Sequence, residues 1–126
     1  NATIYDGIST SPTTGDVAIH NGSIVAVGKM LPHTAPLKID CSGKVICPGF
    51  IDLHAHGQTN SAHRYQVKDG VTTALEMESG VVFIERWIEA KKGKSLVNFG
   101  ATAPHGFLRS IAMNKNKKSM KVQLAF

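Results

Sequence analysis

Two histidines separated by a single residue, His54 and His56, are the chemically most informative feature of the sequence. They follow the apolar run 45–53 and precede Gly57. Residues two apart on a strand point to the same side, with their Cα atoms roughly 6.5 Å apart. Two imidazoles so placed can converge on one metal ion, at Zn–N distances of about 2.0–2.1 Å. The spacing therefore indicates a pair of metal ligands, and two exposed loop histidines are the alternative for so short a motif.

The elements that must position this pair follow a regular alternation over residues 45–102. The strand-like runs are 45–53, 71–77 and 95–101, and the helical runs between them are 62–68 and 81–92. Alternating strands and helices are typical of βαβ units with a parallel sheet, which predicts an α/β fold class. Active-site side chains in such folds gather at the carboxyl edge of the strands. Both histidines fall at that edge of the first run.

The first 46 residues predict a small antiparallel β domain. Asn21 and Gly22 join two β-branched runs, and this dipeptide is a strong hairpin signal because both turn residues require a positive φ. The pairs expected across the hairpin are Ile19 with Ile24 and Val17 with Ala26. A further short strand is expected over residues 37–40. So small a sheet is not expected to be stable alone.

The formal net charge of +5 lies wholly in residues 109–126, which hold five of the 14 basic residues and none of the 9 acidic ones. We expect this basic tail to be solvated, and nucleic-acid binding is not favoured because no aromatic residue interleaves the lysines. No run of 18 apolar residues occurs, so neither a transmembrane helix nor a membrane partner is expected. Cys41 and Cys47 are expected to be buried thiols rather than a disulfide, which is compatible with a cytoplasmic location.

The stretch from Val45 to His56 resembles the signature of the amidohydrolase superfamily, in which a Pro-Gly-Phe-Ile-Asp run leads into the His-x-His motif of barrel strand one. Residues 15–28 look like the small β domain that precedes the barrel in these hydrolases, and residues 69–80 look like the second barrel strand. With residues 94–100, the pattern is most similar to the branch that contains N-acyl-D-amino-acid deacylases. The resemblance covers residues 1–108.

This resemblance implies a small antiparallel β domain over 1–46, the first βαβαβ part of a (β/α)8 TIM-type barrel over 47–108, incomplete in this chain, and a basic tail over 109–126. It implies metal-dependent hydrolysis of non-peptide carbon–nitrogen bonds, of the N-acyl-D-amino-acid deacylase type, by a truncated or partial chain. The implied cofactor is a divalent metal, usually zinc, and the implied substrate is a small-molecule amide. The alternative is a non-catalytic, metal-binding fragment, or one subunit of a split enzyme.

In the resembling family, His54 and His56 match the first ligand pair. The deacylase branch commonly supplies a cysteine ligand from the end of strand two, where this sequence has Glu76, Glu78 and Ser79 instead. The two glutamates share one face of the predicted strand, so either could be a carboxylate ligand. Glu78 is preferred because it lies nearer the carboxyl end. The alternative is that one glutamate is a ligand or a buried partner and the other is a bystander, and the sequence does not separate the two.

Three further residues are candidates around this pair. His105 follows the third predicted strand and could contact substrate or lie behind the ligands, although an ordinary loop histidine is equally expected there. His63 is expected behind the ligands or at the surface. Asp52 shares the face of the two histidines and is interpreted as an acid that orients the strand. The family's remaining ligands and its catalytic aspartate come from strands five, six and eight, so no catalytic residue is assigned. Self-association, or a partner chain that completes the barrel, is expected.

Overall fold

A computed structural model describes residues 1–29 and 34–113 of the chain. The strands are β1 (Ala2–Ile4), β2 (Thr13–His20), β3 (Ser23–Gly28), β4 (Val45–Ile46), β5 (Phe50–Asp52), β6 (Val71–Glu76) and β7 (Asn98–Ala101). The helices are α1 (Asn60–Lys68), α2 (Ile84–Lys91) and α3 (His105–Met113). They fall into two compact units, which divide between Pro48 and Gly49. Over the described ranges, no helix is long and apolar enough to cross a membrane.

The first unit is a four-stranded sheet in the order β3-β2-β1-β4. Strands β2 and β3 form the predicted hairpin, which is confirmed by the positive φ values of 49° at Asn21 and 74° at Gly22. Ala2 and Ile4 of β1 are buried and supply the apolar centre of this unit. The Asp6 carboxylate accepts the backbone N–H groups of Ser9 and Ile8, which lowers the pKa of that carboxyl to about 2.

Three details of the first unit differ from the prediction. A β-bulge between Ala18 and Ile19 keeps the Ile19–Ile24 pair but moves Val17 opposite Val27 instead of Ala26. No strand forms over residues 37–40, and β4 pairs with β1 in parallel, so the sheet is mixed. The long connection between β3 and β4 allows this parallel return. Cys41 is half-buried and Cys47 is exposed, rather than both being buried, and neither forms a disulfide.

The second unit is a three-stranded parallel sheet in the order β5-β6-β7, with α1 between β5 and β6 and α2 between β6 and β7. This confirms the predicted βαβαβ order. The apolar centre is small: Ala55, Ala74 and Val97 are buried together, with Val71 packed against them. Helix α2 lies against β7 through an edge-to-face contact between Trp87 and Phe99, whose ring centroids are 5.2 Å apart.

Several element bounds from residue 45 onward also differ from the sequence prediction. Pro48 and Gly49 divide the first apolar run into β4 and β5, because proline lacks the N–H that a strand ladder needs. Helix α2 starts at Ile84 rather than at residue 81. Helix α3 occupies residues 105–113, where the sequence showed no element. The predicted tail lysines, Lys115, Lys117, Lys118 and Lys121, lie outside the described residues.

Candidate metal centre

The ends of two neighbouring parallel strands bring the predicted ligand residues together. His54 and His56 lie two and four residues beyond the end of β5, Glu76 is the last residue of β6, and Glu78 lies two residues further. A single antiparallel bridge joins His54 to Glu76, and the Ala55 N–H donates to the Leu75 carbonyl at 3.0 Å. The His-x-His segment is therefore pinned by its backbone to the end of β6.

The loop that carries Glu78 is fixed by its close approach to the chain beyond β7. The Val81 N–H donates to the Thr102 carbonyl at 2.9 Å, and the Thr102 N–H donates to the Glu76 carbonyl at 3.0 Å. Gly80, in this loop, has a φ of 69°, and a Cβ there would lie 2.7 Å from backbone atoms of residues 102–104. Only glycine fits this position, since both the conformation and the space exclude a side chain.

Three donor atoms form a compact triangle at this edge. The Nε2 atoms of His54 and His56 are 3.0 Å apart. The Oε2 atom of Glu78 lies 2.7 Å from the first and 2.8 Å from the second. A tetrahedral zinc ion with bonds of about 2.0–2.1 Å holds its ligand atoms roughly 3.3 Å apart. Two imidazoles and a carboxylate converging at nearly this separation fit a divalent ion, and all three residues are solvent-accessible.

Glu76 is not one of the three converging residues but lies behind them. Its Oε2 atom is 2.8 Å from His56 Nδ1, its Oε1 atom accepts the Ser79 N–H at 3.0 Å, and the residue is 8% exposed. A carboxylate that accepts the Nδ1 proton leaves the Nε2 lone pair free for a metal. Burial by itself would raise the pKa of Glu76, but the hydrogen bonds from His56 and Ser79 bring that pKa below its ordinary value. The same hydrogen bond raises the pKa of His56.

The remaining sequence candidates occupy different places. Asp52 accepts the backbone N–H of His54 at 3.0 Å through Oδ1, so it contacts the ligand segment through the main chain. His105 is the exposed first residue of α3 and is not part of the converging group. His63 is not at the surface: its side chain is completely buried in α1. The structure adds Gln58, which hydrogen-bonds both His63 and the Ala55 carbonyl, and which the polar stretch after His56 gave no signal to single out.

His63 offers a pH-dependent observable. Burial, and to a lesser extent the Lys91 ammonium, lower the pKa of His63 below its ordinary value of 6.5. As the pH falls below 6.5, the unfolded chain therefore takes up this proton before the folded chain does, and the stability contributed by neutral His63 is progressively lost. We expect NMR titration of the metal-free chain to show His63 protonating below pH 6.5. A midpoint above 6.5 would contradict the buried, neutral ring.

Comparison with known proteins identifies relatives of this chain. The chain is 31% identical over 83 residues to a D-aminoacylase from Alcaligenes xylosoxydans xylosoxydans, which covers 63% of this chain and 17% of that protein. It is 35% identical over 75 residues to a dihydroorotase from Thermoanaerobacter sp., covering 59% of this chain and 17% of that enzyme. It is also 41% identical over 56 residues to an adenine deaminase from Desulfitobacterium hafniense, covering 44% of this chain and 9% of that enzyme.

The chain is a homologue of amidohydrolase superfamily members. The aligned segment spans less than a fifth of the length of each of these three amidohydrolase relatives. No family model matches the chain, and no solved structure matches it. Amidohydrolase homologues are typically metal-dependent, which agrees with the group formed by His54, His56 and Glu78.

Proposed function

We propose that this chain provides the metal-binding end of a metal-dependent amidohydrolase that acts on non-peptide carbon–nitrogen bonds. The observation that carries the proposal is the triangle formed by His54 Nε2, His56 Nε2 and Glu78 Oε2, with no edge longer than 3.0 Å. Glu76, buried behind His56, supports the same function because it orients one imidazole toward the triangle. In this proposal β5, β6 and β7 are the first three strands of a (β/α)8 barrel.

The proposed ion is zinc. Two imidazole nitrogens and one carboxylate oxygen form the three-ligand set found in catalytic zinc sites, which keep a further position open. When bound, such an ion would act as a Lewis acid that activates water and polarises the scissile carbonyl. The chain's own residues would hold it: His54 and His56 through Nε2, and Glu78 through Oε2. The exposure of all three side chains gives the ion and a small substrate access from solvent.

The proposed substrate is a small-molecule amide, specifically an N-acyl-D-amino acid. Support comes from the names of the relatives, which include a D-aminoacylase, an N-acyl-D-glutamate deacylase and an N-acyl-D-aspartate deacylase. A dihydroorotase is among the relatives as well, so cyclic amides are the second substrate class to assay.

A second candidate function is metal binding without catalysis, either in a non-catalytic relative or in one subunit of a split enzyme. It is favoured by the engagement of the three carboxylates near the histidine pair. Asp52 accepts a backbone N–H, Glu76 holds His56 and Ser79, and Glu78 belongs to the ligand group. Within the described ranges, no further carboxylate is part of this cluster to serve as a general base.

The test assays the natural protein that carries this chain, before and after removal of metal by a chelator. We expect hydrolysis of N-acyl-D-amino acids that is lost on chelation, restored by Zn²⁺ and absent in His54→Ala. The His20→Ala variant, at an exposed position of the first unit, is the control and should behave as the unchanged protein does. Full activity in the metal-free protein would contradict the proposal. Zinc binding without hydrolysis of either substrate class would favour the non-catalytic function.

A further inference from the structure

We propose that Gln58 is a positioning residue for the His54–His56 ligand pair, and that buried His63 holds Gln58 in place. This inference rests on the proposed function, because it concerns how the metal ligands are kept in register. It adds two residues that are not members of the converging group and that act through the peptide between the two histidines.

Ala55 is the residue between the two histidine ligands. Its N–H donates to the Leu75 carbonyl at 3.0 Å, and its carbonyl accepts the Gln58 side-chain amide at 3.0 Å. Ala55 is 2% exposed and packs with Ala74 and Val97. Both polar groups of this buried residue are therefore held, one by β6 and the other by Gln58. The carbonyl bond fixes the peptide plane from which His56 projects.

A tight turn directly after His56 brings the Gln58 side chain back to Ala55. Gly57, directly after His56, has a φ of 67° in the left-handed region that favours glycine, and it begins a three-residue turn that ends at Thr59. The Thr59 N–H closes this turn on the Gly57 carbonyl at 2.6 Å, and Thr59 then caps α1 by accepting the Ala62 N–H. The turn thus places the Gln58 side chain between the ligand segment and the first turn of α1.

The buried His63 ring orients the side-chain amide of Gln58. His63 Nε2 lies 3.3 Å from Gln58 Oε1, and His63 Nδ1 lies 3.2 Å from Ser95 Oγ. The amide nitrogen must face the Ala55 carbonyl, so Oε1 faces His63 and accepts its Nε2–H. With Nε2 protonated and the ring neutral, Nδ1 is an acceptor, so the single Ser95 hydroxyl proton is available either to Nδ1 or to the Val97 carbonyl, which lies 2.7 Å from Ser95 Oγ. These contacts join the chain before β7, α1 and the ligand segment.

If these contacts only stabilised the fold, substituting Gln58 would lower the stability of the chain without changing how the metal is held. A network that positions the ligands would change metal affinity and coordination even in a folded chain. Partners that orient ligating histidines are typically worth a factor of about 10–100 in metal affinity. Gln58 acts on the backbone rather than on an imidazole, so we expect an effect near the lower end of that range.

The experiment measures Zn²⁺ affinity by calorimetry and the visible spectrum of the Co²⁺-loaded chain for Gln58→Met and Gln58→Glu. Methionine keeps the length of the side chain without its hydrogen bonds. Glutamate keeps the acceptor for His63 but loses the donor to Ala55. Gln66→Met is the matched control, because Gln66 lies in α1, as His63 does, and among the described residues its Oε1 atom has no hydrogen-bond partner. Thermal unfolding of each metal-free variant shows whether it remains folded.

We expect both Gln58 variants to bind Zn²⁺ about tenfold more weakly and to give an altered Co²⁺ spectrum, with Gln66→Met unchanged. If Gln58→Met does not fold, Gln58→Glu carries the test. Wild-type affinity and an unchanged spectrum in a folded Gln58 variant would overturn this inference and leave the proposed function intact. Failure of the unsubstituted chain to bind Zn²⁺ would instead overturn the proposed function, and this inference with it.

Discussion

Replacing His54 and His56 together by alanine is expected to lower Zn²⁺ affinity by about four orders of magnitude. Four-ligand structural zinc sites reach dissociation constants of about 10⁻⁷ to 10⁻¹² M, or roughly a hundredfold for each ligand. The double variant removes two of the three atoms of the triangle and leaves only Glu78 Oε2. A lone exposed carboxylate does not hold zinc at micromolar concentrations. Calorimetric titration of the metal-free chain measures this loss directly.

Separate substitution of the two glutamates distinguishes a metal ligand from the residue that orients a ligand. Glu78→Gln removes a ligand charge and should lower zinc affinity about a hundredfold. Glu76→Gln removes the negative charge behind His56 and one of the two oxygens that accept from His56 and Ser79, and should lower it about tenfold. The exposed histidines His20 and His105 provide the controls, since alanine at either should leave the affinity unchanged. Equal zinc affinity in the double histidine variant and in the unsubstituted chain would show that the ion binds elsewhere.

The second large effect concerns turnover by the 126-residue chain when it is assayed alone. Positioned acid–base catalysis contributes a factor of about 10²–10⁴, and a typical enzyme turns over about ten times per second. The carboxylates around the histidine pair already hold the His54 N–H, the His56 ring or the ligand group. Without a positioned base, the zinc-loaded chain is expected to turn over at about 0.1 s⁻¹ or more slowly.

The measurement follows hydrolysis of N-acyl-D-amino acids and of hydantoin-like cyclic amides by the zinc-loaded chain. His54→Ala is the control, because any hydrolysis that survives in it does not depend on the proposed site. Turnover near 1 s⁻¹ that disappears in His54→Ala would contradict the expectation. It would mean that a base other than Asp52, Glu76 and Glu78 serves the site.

The parts of the structure that the sequence predicted depend on local rules. The two-residue turn at Asn21 and Gly22 needs only a backbone preference, and the order of strands and helices in the second unit follows from hydrophobic periodicity. The convergence of His54 and His56 follows from their alternation along an extended chain. Each of these features is determined within a few residues, so neighbouring sequence suffices to predict it.

The parts that the sequence did not predict depend on contacts between distant segments. The bulge at Ala18 and the absence of a strand over 37–40 depend on which strands pair across the sheet. Glu76 and Glu78 share one face of the strand that the sequence predicts. In the structure Glu76 ends β6, bridges to His54 and contacts His56 Nδ1, whereas Glu78 lies beyond the strand and contacts His54 Nε2. Gln58 was missed because an isolated glutamine in a polar stretch carries no pattern, although its side chain reaches the carbonyl between the two ligands.

X-ray absorption at the zinc edge of the zinc-loaded chain tests the central claim most directly, because it reports which atoms surround the ion. We predict two imidazole nitrogens and carboxylate or water oxygens at about 2.0–2.1 Å, with one imidazole lost in His54→Ala and the other in His56→Ala. A shell of oxygens without the imidazole signal, or a spectrum unchanged by both substitutions, would contradict the assignment of His54, His56 and Glu78 as the metal-binding group.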